Sequence, residues 1–235
     1  MRILFDNLFR NSSFSSTNGS LNYPASNLAH PFLRRRFQSI STSSVITASF
    51  TTDQTFDSFY YGFFNLTSLS VEFKNSIGTV LRTINITSPE DIGAEHFSQT
   101  GSVRSVDITV SGPSGFYLGG IGGGLSYQMI EPVAAYDPSF DDNSSFAESP
   151  QGQTLQNFIT PLRELEFSFR DVTGTIYQEV SERYKSVGVG LPLWIDLFED
   201  NRDKEPPLYG KIISSPSFPY ADLRHAFTLS FREAR

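Results

Sequence analysis

The chain predicts a mainly β protein, with an N-terminal antiparallel β-sandwich followed by a smaller C-terminal α+β domain that holds one helix. Three observations lead there. The 22 Phe and 10 Tyr sit in short apolar runs among abundant Ser, Thr, Asn and Gly, a mixture that suits half-buried strands joined by tight turns. Residues 1–128 alternate with the period of two that a pleated strand imposes, and helical spacing is convincing only at 176–187. A length of 235 residues accommodates two domains, expected at 1–130 and 154–235, with a linker at 131–153.

Met1 to Phe9 is apolar and can open a sheet. From Tyr23 to Pro31 two prolines forbid a regular element and favour an ordered loop or short turn. Val45 to Phe50 sets Ile46, Ala48 and Phe50 against Val45, Thr47 and Ser49, as a strand with one buried face does. Phe56 to Phe64 is a dense aromatic run. Ser68 to Lys74 and Thr79 to Ile86 form a hairpin through Asn75-Ser76-Ile77-Gly78, with Gly78 supplying positive φ. Val103 to Val110 alternates again, and Phe116 to Gln128 can close the sheet. The 131–153 segment, rich in Pro, Asp and Ser, reads as the linker.

The second half changes character. Leu155 to Arg170 is strand-like, with Leu165, Phe167 and Phe169 on one face. Ile176, Val180, Tyr184 and Val187 make a helical stripe, with Thr175 and Gln178 as a capping box and Gly188 as the C-terminal cap. Strands at Leu191–Phe198, Leu208–Ser214 and Ala226–Arg232 follow, the first two separated by a charged turn at Asp200–Pro207. The helical stripe is expected against a sheet containing Phe167, Phe169, Trp194 and Phe198.

Composition narrows the function. There is no cysteine, so no disulfide framework, thiolate metal site or cysteine nucleophile is expected. Asp6 and Arg10 interrupt the first apolar stretch before a signal-peptide core can form, and no run approaches the roughly 18 apolar residues of a spanning helix. The expectations are synthesis in the cytoplasm and no membrane insertion. A formal net charge of -7 argues against nucleic acid as a partner, since neutralising phosphates needs a basic surface. The N-x-S/T triplets at Asn11, Asn18, Asn65, Asn85 and Asn143 are what a Ser/Thr-rich chain generates by chance.

No motif points to catalysis, a cofactor or a metal. The run Gly119-Gly120-Ile121-Gly122-Gly123-Gly124 lacks the spacing of a dinucleotide or phosphate loop and reads as a bulged or closely packed strand. His30, His96 and His225 are isolated in sequence, without a ligand-type side chain at metal spacing. No Gly-x-Ser-x-Gly elbow is present. The carboxylates at Asp137, Asp141 and Asp142, and at Glu199, Asp200, Asp203 and Glu205, do not follow the order of a calcium loop and read as solvated turns. Arg34, Arg35 and Arg36 read as an edge that pairs with local carboxylates, or as a contact with a partner.

Two stretches carry a resemblance. Asn22-Tyr23-Pro24-Ala25-Ser26-Asn27-Leu28, Pro31, the arginines, Phe37-Gln38-Ser39 and the Val45–Phe50 strand resemble the opening of discoidin-like, galactose-binding-type domains, jelly-roll-like sandwiches found in tail proteins of tailed bacteriophages. Such domains carry P-x-x-N-L-x-x-P followed by an Arg-Trp step, and this chain has Phe37 where the tryptophan is common. The likeness spans roughly residues 20–128. The helix at Ile176–Val187, the strand at Leu191–Phe198, Leu208-Tyr209-Gly210 and Phe227 to Glu233 resemble the end of phage tail-tip and tail-assembly proteins.

The resemblance implies a virion structural protein of a tail tip or baseplate, without enzymatic activity, whose partners are other tail proteins and copies of itself. Partner contacts are then expected at Arg34, Arg35, Arg36, Asp200 and Asp203. The alternative role is a lectin-like module that attaches to a host-surface glycan, with Phe14, Tyr23, Phe116 and Tyr117 as the candidate sugar contacts.

Overall fold

The computed structural model describes residues 1–31, 35–87, 89, 91–129, 139–141, 145–148, 154–157, 162–198, 206–213 and 225–234. Among the described residues nine strands precede residue 130: β1 (Arg2–Leu4), β2 (Ser13–Ser16), β3 (Phe37–Gln38), β4 (Ser43–Phe64), β5 (Ser68–Lys74), β6 (Val80–Thr87), β7 (Ile92–Ser111), β8 (Tyr117–Gly124) and β9 (Tyr127–Gln128). The later described elements are β10 (Ser139–Asp141), β11 (Ser145–Glu148), β12 (Thr154–Asn157), β13 (Leu162–Val172), the helix α1 (Gly174–Val187), β14 (Leu193–Asp196), β15 (Leu208–Ile212) and β16 (His225–Glu233). The protein is mainly β, its sheets antiparallel, with α1 the single α-helix among the described residues. None of the described helices is long and apolar enough to cross a membrane.

The chain divides into two compact units, Met1–Met129 with Leu193–Leu208, and Ile130–Pro192 with Tyr209–Ala234. Leu193–Leu208, grouped by the sequence reading with the residues after the linker, joins the first unit. Much of the expected linker lies outside the described residues, but two pieces of it, β10 and β11, are strands.

In the first unit β4 and β7 form a long antiparallel ribbon whose register shifts between Ser49 and Ser58. Such irregularities let a ribbon turn a corner. Before the corner the strand order is β2-β4-β7-β5-β6, and beyond it β3-β8-β4-β7. Alternation turns Ile46, Ala48, Val71 and Ile108 of the first layer, and Phe59, Tyr61, Leu118 and Ile121 of the second, into one buried cluster. This is the β-sandwich the sequence predicts. The aromatic run 56–64 is not a separate strand but the second half of β4, and β7 starts eleven residues before the expected Val103, at Ile92. The β5–β6 hairpin lies where expected, with Gly78 at φ 83°.

The outer face of the second layer is covered as well. β1 pairs antiparallel with β14 and β9, and Trp194 of β14 stacks on Tyr60 of β4, ring centroids 5.7 Å apart. A Cβ at Gly122 would lie 2.4 Å from the indole Cδ1, so the glycine run in β8 packs closely, as its composition suggests. Trp194 is thus grouped with the first unit, β14 is a strand of the seven-stranded sheet that also holds β13, and Phe198, beyond the end of β14, is exposed.

In the second unit β10, β13, β16 and β15 are neighbours in that order, each pair antiparallel, and β11 pairs with β12. Phe169 stacks on Phe227 at 4.8 Å and Phe167 meets Phe231 at 6.0 Å. The buried stripe of α1 is Tyr177, Val180 and Val187, and Tyr177 stacks on His225 at 4.3 Å. The N-cap is Thr173, without a side-chain hydrogen bond, so Thr175 and Gln178 lie inside the helix and are not the capping box. Gly188 takes the expected C-terminal cap at φ 62°.

One surface pair gives a pH-dependent prediction. Lys74 Nζ lies 2.7 Å from Asp107 Oδ2 and 2.9 Å from Glu72 Oε2, and Thr47 Oγ1 donates to Asp107 Oδ1 at 2.7 Å. Burial pushes the Asp107 carboxyl up, but the hydrogen bonds from Lys74 and Thr47 outweigh it and hold it below its ordinary value. The hydrogen bond to Asp107, then that to Glu72, raises the Lys74 ammonium. The stabilisation from the lowered carboxyl is lost as pH falls through its folded value, below about 4, and that from the raised ammonium as pH rises through its own, above about 10.4. Lys74→Met should cost at most about 1 kcal/mol at neutral pH, because the pair is partly solvated. In urea titrations the difference from the wild type should fade at both pH extremes.

Candidate functional site

Phe37 of β3 and Phe116, just before β8, are fully buried with ring centroids 6.3 Å apart. Their neighbours Arg36, Gln38 and Tyr117 are partly exposed, as a period of two requires. β3 pairs with β8 so that Gln38 stands opposite Tyr117. The turn at Ser20–Tyr23 docks on β3, with Gln38 N donating to Tyr23 O at 3.1 Å and Ser20 N to Gln38 O at 2.8 Å. Tyr23 is thereby brought beside Arg36.

The Arg36 guanidinium carbon lies 4.4 Å from the centroid of Tyr117 and 5.8 Å from that of Tyr23. Cation–π contacts of this kind seat a guanidinium over aromatic rings. Backbone bonds fix the frame. Asn27 Nδ2 donates to Arg36 O at 3.0 Å, and Tyr117 N donates to Asn65 Oδ1 at 2.7 Å. Gln38 Nε2 donates to Gly115 O at 3.2 Å, on the turn that leads into β8. Phe116 N closes that turn on Pro113 O at 3.0 Å, and Gly115 at φ 76° takes the third position, where positive φ favours glycine. Tyr23 is 38% exposed and the neighbouring Leu21 99%, so the ring of Tyr23 is open to solvent. Nearby, burial and secondarily the charge of Arg35 hold His30 below the ordinary imidazole value. The site thus offers one aromatic-seated cation, an exposed tyrosine ring and polar groups on turns.

Of the sequence-predicted residues, the structure brings Tyr23, Tyr117 and Arg36 together. Phe116 is a core residue and cannot meet a sugar, and Phe14 packs its half-buried ring on Phe9 at 6.2 Å. Arg35 is exposed. Arg34, Asp200 and Asp203 lie outside the described residues. Among the described residues neither Arg35 nor Arg36 makes an ion pair with a carboxylate, and Arg36 rests on rings instead. Sequence reasoning missed Gln38 and Asn65 as framing residues, because their partners Gly115 and Tyr117 lie far along the chain.

A second polar cluster lies inside the first unit. His96 Nε2 is 2.8 Å from Asp196 Oδ2, with the side chains 5% and 0% exposed, and the Tyr60 ring meets the imidazole edge-on at 5.6 Å. Its burial makes this a clamp between β7 and β14, not a solvent-facing site. Asn7 is a further buried tie, donating to Ile121 O at 3.0 Å and accepting from Gly123 N at 3.2 Å. Among the described residues no group of three or more His, Asp or Glu could hold a metal ion.

No protein-family model and no curated protein matches the chain. Among solved structures it is similar to chitosan-binding module 1 from a chitosanase/glucanase of Paenibacillus sp. IK-5, with 16% identity over 50% of this chain and 96% of that chain and a TM-score of 0.44. It is also similar to the lectin binding domain of Lectinolysin (9% identity, 52% of this chain, 96% of that chain, TM-score 0.45). A third is a fucose binding module of Streptococcus pneumoniae (7% identity, 50% of this chain, 94% of that chain, TM-score 0.44). The ligands in these names belong to those modules.

Proposed function

We propose that this chain is a carbohydrate-binding, lectin-like module with a discoidin-like sandwich, acting by binding and not by turnover. The observation that carries this reading is the seating of Arg36 on Tyr117 and Tyr23 at an open turn. An exposed tyrosine offers an apolar face to a sugar ring, while guanidinium and turn amides supply hydrogen-bond donors for its hydroxyls. The tail-tip and baseplate setting rests on the sequence resemblance. In that setting the module would attach the virion tail to a host-surface glycan.

The test is calorimetric titration of the full chain against a glycan panel that includes chitotriose and fucose. Saturable binding to a member of the panel is expected, and Tyr23→Ala should weaken it roughly two- to twelvefold, the effect of losing about 0.5–1.5 kcal/mol of aromatic contact. The melting temperature should hardly change, since Tyr23 lies at the surface. Absence of saturable binding across the panel would refute the reading.

A further inference from the structure

Two other arginines of the first unit, Arg82 and Arg104, spend donors inside the protein. Arg82 lies over Phe97 at 4.8 Å but also donates to Thr100 Oγ1 at 3.0 Å and Ser98 Oγ at 2.7 Å. Arg104 pairs with Asp53 at 3.3 Å. Arg36 differs. Its two ring contacts are cation–π contacts, and among the described residues none of its five N–H donors makes a hydrogen bond or ion pair. The cation is half-buried, its carbonyl is held by Asn27 and its seat Tyr117 by Asn65. A second cation, Arg35, precedes it in the sequence.

A guanidinium already positioned, with its fork unspent, is built to receive a planar oxyanion. The two parallel N–H···O bonds of an arginine–carboxylate pair match that geometry, and the ordering cost has been met in advance by the rings. We propose that Arg36 is the anchor for an acidic sugar, a uronic-acid residue whose carboxylate it grips bidentately while Tyr23 lies against the ring. This inference rests on the carbohydrate-binding reading and names its ligand class.

The experiment titrates the full chain with three probes: a glucuronate-containing tetrasaccharide, its carboxyl-reduced counterpart in which each glucuronate is glucose, and a sulfated galactose tetrasaccharide. The glucuronate probe should bind at least tenfold more tightly than the other two and weaken as salt is raised. Arg36→Met, which keeps an apolar stem on the rings, should erase that preference without lowering the melting temperature. Arg36→Lys, which keeps the charge and loses the fork, should restore only part of it. Equal binding of the glucuronate and carboxyl-reduced probes, or a preference for the sulfated one, would overturn the uronic-acid assignment and leave the carbohydrate reading standing. If none of these probes, chitotriose or fucose saturates the protein, the carbohydrate reading falls and this assignment with it.

Discussion

Trp194→Ala should destabilise the first unit by about 3–5 kcal/mol, the range for emptying a large aromatic site in a packed core. The indole is 1% exposed, stacked on Tyr60, and set against the bare backbone of Gly122. Because it is the sole tryptophan, the variant also loses its fluorescence reporter, so urea unfolding is followed by circular dichroism. The same contact makes a coupling prediction. Gly122→Ala puts a methyl where the indole already lies, so it should be costly in the wild type and much milder once Trp194 is alanine. Additive effects of the two substitutions would show that Trp194 does not pack on β8.

Val180→Asp is the second large effect. Val180 is fully buried at the middle of α1, between Tyr177 and Val187 on the covered stripe. A carboxylate there must either stay charged without solvent or take up a proton, and the cost should exceed about 4 kcal/mol. Helical ellipticity should fall at neutral pH and recover in part at acid pH, where the carboxyl is neutral. Gln178→Asp, two residues away and exposed, should change stability by no more than about 0.5 kcal/mol. A Val180→Asp protein with wild-type ellipticity and melting temperature would refute the placement of this face.

Elements whose evidence is local were legible in the chain alone. The β5–β6 hairpin follows from alternation on both sides of a turn that needs positive φ at Gly78, and α1 from apolar residues at helical spacing ahead of Gly188. The sandwich itself followed from repeated alternation. Legibility failed where local pattern and long-range pairing part company. Thr51 to Thr55 are polar and largely exposed and read as a break, yet pairing with β7 carries β4 through them as one strand. The helix start was misplaced because Thr175 and Gln178 have capping-box spacing, whereas the chain enters the helix at Thr173.

The candidate site divides the same way. Tyr23 and Tyr117 were visible as aromatics on turns, but Phe116 was indistinguishable from them until the β3–β8 register turned it inward onto Phe37. Nothing in the run Arg34-Arg35-Arg36 says that the last guanidinium rests on Tyr117, a residue 81 positions away (117 minus 36), and nothing around His96 foretells Asp196, 100 positions further on. Composition and periodicity act over a few residues, so they determine strand, turn and helix and hence the β class. Which strands pair, which side of a ring is covered and which charge meets which partner depend on contacts between distant segments, whose loop-closure cost is repaid only when the whole core assembles. Trp194 shows this most directly: its segment reads as a strand from sequence, and only packing against Tyr60 and Gly122 places it in the first unit.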